Sequence, residues 1–80
     1  MKTTVTTQNF LTVFAAAKAV FDGNERFKLH TMARKNAKVY LNRAAEYWAA
    51  AKRNETEKLQ EAVKNLQLVV NSFAKVGIEI

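Results

Sequence analysis

From Phe10 to Phe73 apolar residues recur at steps of three and four, and no proline interrupts them. That spacing gathers them on one face of an α-helix, and proline is the residue that most reliably breaks one. Glycine, the other common breaker, occurs only at Gly23 and Gly77. A turn-rich β-sandwich and a collagen-like repeat both need far more of these residues. The chain is therefore expected to be all-α, a small three-helix bundle with a long central helix, spanning about 7–21, 25–53 and 55–75.

The first helix is expected to start after Thr6 or Thr7, where a threonine hydroxyl can accept from a free backbone N–H of the first turn. Phe10, Val13, Phe14, Ala17, Val20 and Phe21 form its inward stripe, and Asp22-Gly23-Asn24 stops it, with glycine in the left-handed conformation. The second helix places Leu29, Ala33, Ala37, Tyr40, Leu41 and Ala44 inward, followed by Tyr47, Trp48 and Ala51. His30 and Thr31 are mediocre helix formers, so a break can fall between them. Asn54 and Glu57 have capping-box spacing ahead of the third helix. Its stripe runs Leu59, Ala62, Val63, Leu66, Val69, Val70 and Phe73, and Gly77 closes it with Ile78 packing beyond the cap. At the ends, 3–6 is β-branched and 76–80 alternates, which suits a short two-stranded ribbon.

With 80 residues the chain is one domain, 1–80, burying only roughly 60–65% of its unfolded surface. No cysteine is present to add a disulfide or a thiolate metal site. The run from Phe10 to Ala17 is too short to span a bilayer. Ahead of Ala17-Lys18-Ala19 it weakly suggests a secretory signal, but a polar spacer precedes it and Lys18 falls inside the cleavage motif. A cytoplasmic location is the default expectation.

Chemistry is sparsely supplied. His30, Ser72 and Asp22 are the only residues of their types, so a nucleophilic triad would need all three to converge. One histidine and scattered glutamates offer no metal-ligand spacing. Neither glycine sits in a phosphate-loop motif. The expectation is no enzyme, no cofactor and no metal.

Charge is more informative. The net charge is +6, and the stretch 26–43 holds Arg26, Lys28, Arg34, Lys35, Lys38 and Arg43 with no acidic residue. Elsewhere seven basic residues balance seven acidic ones. A wheel puts Arg34, Lys35, Lys38 and Arg43 opposite the Ala33–Ala37–Ala44 stripe, with Met32 and Val39 in the same outer half. The first helix is also apolar beyond its inward stripe, at Leu11, Ala15, Ala16 and Ala19. Helix lengths suggest that Ala44–Ala51 meets only the third helix, leaving Tyr47 and Trp48 covered on one side.

These features point to a non-enzymatic protein-interaction module: a small regulator, inhibitor or adaptor. The expected contact residues are Leu11, Met32, Val39, Tyr47 and Trp48, and the partner is another protein or a second copy of the chain. The alternative is a nucleic-acid-binding protein whose Arg34, Lys35, Lys38 and Arg43 neutralise phosphates, while Asn36 and Asn42 on the same helix read base edges. Association with a membrane surface ranks last, because the apolar stripe is better used inside the bundle.

Overall fold

Thr6 and Asn9 exchange bonds before any regular helix begins. Asn9 N–H donates to Thr6 Oγ1 at 3.2 Å, and Thr6 N–H donates to Asn9 Oδ1 at 2.7 Å. This reciprocal pair has capping-box form, so the threonine acts as the sequence suggests while the regular helix opens at Phe10. A computed structural model of the chain describes residues 3–51 and 55–80. Its helices are α1 (Phe10–Gly23), α2 (Glu25–Lys28), α3 (Thr31–Ala50) and α4 (Thr56–Lys75). The helical bundle holds. No strand forms among the described residues.

The expected central helix is broken into α2 and α3. Asn24 ends α1 in an extended conformation, and its side chain accepts from Phe27 N–H at 2.9 Å, capping α2. Leu29 and His30 N–H groups donate back to Arg26 and Phe27 carbonyls, tightening the turn before His30 goes out of helix. The break resets the helical phase. Phe27, not Leu29, enters the core: Phe27 is fully buried and Leu29 is 81% exposed. The far end of α3 lies at Ala50; residues 52–54, which include the expected Asn54 cap, lie outside the described residues. At the start of α4 the described residue is Glu55, whose carboxylate is 2.9 Å from Lys58 Nζ.

Gly23 also differs from expectation. It stays in right-handed helix, because Asn24 turns the chain instead. A Cβ at Gly23 would meet nothing within 4 Å. Gly23→Ala is expected to stabilise the fold by about 0.5–1 kcal/mol, since alanine restricts the unfolded chain and suits a helix. Gly77 behaves oppositely. At φ 81° it donates to Ala74 O at 3.1 Å, while Ile78 N–H reaches Phe73 O at 2.9 Å, the two bonds of a Schellman cap. Ile78 is buried beyond it. Gly77→Ala is expected to cost about 1–2 kcal/mol. Thermal melts of the two variants should move in opposite directions, and equal melting temperatures would contradict both assignments.

α3 and α4 pack antiparallel along most of their lengths, and α1 lies against both. The core side chains of α3 are mostly small, Ala37 and Ala44 around Leu41. Small residues let neighbouring backbones approach. The larger groups come from the other helices: Phe10, Val13 and Phe21 from α1, Phe27 from α2, and Leu66, Val69, Val70 and Phe73 from α4. Phe27 meets Phe73 edge-on, ring centroids 4.8 Å apart at 82°, which joins α2 to α4.

The chain ends do come together, though not as a ribbon. Gln67 on α4 acts as a clasp: its Oε1 accepts from Val5 N–H at 2.8 Å and its Nε2 donates to Thr3 O at 3.2 Å. The Thr3 hydroxyl donates to the Ile80 carbonyl. Val5 is buried beneath this clasp. No helix among the described residues is long and apolar enough to cross a membrane.

Candidate interaction surfaces

The chemistry-bearing singletons have separate settings. Asp22 pairs with Lys18 at 3.4 Å, an exposed i,i+4 contact. His30 is exposed in the turn before α3. Ser72 lines a groove between α3 and α4. No group of three His, Cys, Asp or Glu able to hold a metal ion occurs among the described residues.

The expected contact residues do not form one patch. Leu11, 64% exposed, stands on α1. Met32 and Val39, 71% and 43% exposed, share the outer face of α3, with Leu29 just before it. Tyr47 borders the α3/α4 groove. Trp48 is half-buried: its ring stacks on Phe10 with centroids 4.0 Å apart at 5°. Ala44–Ala51 therefore meets α1 as well as α4, against expectation. The cause is the break at His30. Residues 25–30 turn the corner, so α1 runs antiparallel to α3 from its first turns and reaches its far end.

The four expected anion-contact residues divide in the same way. Arg34 is half-buried rather than outward, its guanidinium 4.6 Å from the Phe21 ring centroid, a cation–π contact between α3 and α1. Lys38 edges a groove of about 380 Å³ between α1 and α3, floored by Phe14, Phe21 and Leu41. Lys35 is exposed. Arg43 lies on the other flank of α3, between Tyr40 and Tyr47 and facing α4. The ion pairs among the described residues are Lys18–Asp22, Lys28–Glu25 and Lys58–Glu55, so none of Lys35, Lys38 and Arg43 is ion-paired there.

The α3/α4 groove is the most polar of these surfaces. Two recesses of about 510 and 350 Å³ lie side by side along it, with Tyr40 and Leu68 on their common border. Asn36 and Lys75 stand toward one end, Tyr47 and Lys64 toward the other.

The chain matches no known protein family, no curated protein and no solved structure.

Any functional reading rests on these residues alone. The sequence reading missed the groove because its members are split between two helices far apart in the chain. One signal for it was present: Asn36, Asn65 and Asn71 occupy helix interiors, where asparagine is a poor choice. All three line the groove, whereas Asn42, also inside α3, lines the recess against α1.

Proposed function

We propose that this chain is a non-enzymatic interaction module that binds an acidic partner protein along the outer face of α3. The observation that carries the reading is the exposure of Met32 and Val39 two turns apart, with Leu29 at the head of the helix. Large side chains left this open are the usual material of an interface. Lys35 flanks them without a carboxylate partner among the described residues, and Glu46 is the one acidic residue of α3. A second copy of the chain would bring this cationic face against itself, which disfavours self-association there. Carboxylates on a partner would instead set orientation and speed encounter, while Met32, Val39 and Leu29 supply the buried area.

A photo-crosslinking residue at position 39 tests this, with position 11 as the comparison. The expected result is a crosslink from position 39 to an acidic protein, abolished by Met32→Asp and weakened by added salt. Met32 is so exposed that the substitution should change stability by no more than about 0.5 kcal/mol. A crosslink only to a second copy would make the face a dimer seam. Capture of nucleic acid, or equal capture from positions 11 and 39, would overturn the reading.

A further inference from the structure

We infer that the groove between α3 and α4 is a binding site for single-stranded nucleic acid, separate from the outer face of α3 and independent of the partner proposed for it. Three features of the groove converge on this ligand.

The first is a pair of aromatic rings at its rim. Tyr40 and Tyr47 stand two turns apart on the same flank of α3, about 10.5 Å along its axis. Tyr47 is 37% exposed and Tyr40 is half-buried, so each ring is anchored against the protein while part of it remains open. Rings held in this way are platforms on which an unpaired base can stack, whatever its identity.

The second is charge. Arg43 lies between the two rings, and Lys64 and Lys75 stand along the α4 wall. Glu61 is the acidic residue lining the groove. None of these three cations is ion-paired among the described residues. A row of cations beside stacking rings follows a sugar-phosphate backbone. From Asn36 to Tyr47 the groove runs about 16 Å, the rise of about four or five nucleotides at 3.4 Å each.

The third is the set of asparagines that line it. Asn65 is only 6% exposed, and its Nδ2 donates to Glu61 O at 2.7 Å. Asn36 makes no side-chain bond among the described residues. Asn71 accepts from Gln67 at 3.2 Å. A carboxamide offers both a donor and an acceptor, as the edge of a base requires. For packing or solubility alone, alanine or lysine would serve these helix positions better. A duplex keeps its base faces stacked and its edges paired, so it cannot use the tyrosines or the amides.

This reading moves the nucleic-acid contact away from the basic stretch as a whole. Of that stretch only Arg43 takes part, and Lys64 and Lys75 of α4 replace Arg34, Lys35 and Lys38.

The test is anisotropy of a fluorescently labelled 12-nucleotide oligouridylate with the full chain at two salt concentrations, with a 12-base-pair duplex of mixed sequence alongside. The expected result is preference for the single strand. Tyr40→Leu/Tyr47→Leu keeps apolar cover and should weaken binding about tenfold or more, with an unchanged circular dichroism spectrum. Lys64→Gln should lower the slope of log affinity against log salt by about 0.7, the value for one lost phosphate contact on a single strand. Lys35→Gln, outside the groove, should change affinity less than about twofold, and Met32→Asp should leave the strand preference intact. No binding at the lower salt, equal affinity for the duplex, or an unaffected double tyrosine variant would each overturn the inference. So would a Lys35→Gln effect equal to that of Lys64→Gln, because the attraction would then be the net charge acting without a site.

Discussion

Phe27→Ala is expected to lower unfolding stability by about 3–5 kcal/mol. The ring is fully buried, stands edge-on to Phe73 at 4.8 Å and lies 6.2 Å from Phe21. It is the one buried residue of α2. A helix of four residues has no stability of its own, since nucleation alone exceeds what its few bonds return. Removing the ring therefore detaches the whole corner between α1 and α3 from α4. A domain of 80 residues is stable by only about 4–12 kcal/mol, so the variant loses a large fraction of its margin. Leu29→Ala, two positions away, should shift stability by no more than about 0.5 kcal/mol, because Leu29 is 81% exposed. Urea unfolding followed by circular dichroism measures both. A larger loss for Leu29→Ala than for Phe27→Ala would mean that α2 continues straight into α3, in which case the description of the corner fails.

Phe10→Ala is the second change of this size, again about 3–5 kcal/mol. Phe10 is 1% exposed and lies between Phe14, 5.8 Å away, and Trp48, 4.0 Å away and nearly parallel. The loss combines a cavity with a stacked pair worth about 0.5–1.5 kcal/mol beyond its buried area. Trp48 is the only tryptophan, so its fluorescence reports the event directly. The variant should show red-shifted emission before any unfolding, as water reaches the indole. Unshifted emission would place Trp48 against α4 alone, as the helix lengths first suggested. It follows that Trp48→Ala is chiefly a packing change. A loss of partner binding in that variant is not by itself a sign of a contact residue.

Two of the three expected helices are close to those observed. The stripes of α1 and α4 are periodic over several turns, and a long periodic segment has one natural face to bury. The Gly77–Ile78 cap was equally clear, because a left-handed residue followed by an apolar one is a local motif. The middle segment was not. Glu25–Lys28 is too short to carry a period, and His30-Thr31 only weakly disfavours helix. Reading one phase from Leu29 to Ala51 therefore placed Leu29 inside and passed over Phe27.

The candidate surfaces suffered more than the fold. Met32, Val39 and Leu11 were placed outward and are exposed. A wheel cannot say which neighbour flanks an outward position, however. Arg34 leans over Phe21 of α1, and Arg43 faces α4. Both were assigned to one basic face.

Composition and periodicity alone determined that the chain is helical, where α1 and α4 lie, which faces they bury, and that positive charge is concentrated in residues 26–43. Those properties follow from residues within a few turns of one another. Tertiary structure alone decided that Trp48 stacks under Phe10, that Gln67 holds the Thr3–Val5 segment, and that Tyr40, Tyr47 and asparagines of two helices line the groove between α3 and α4. Each of these depends on the register between helices, and that register is set by a corner whose position is decided by where one phenylalanine finds room.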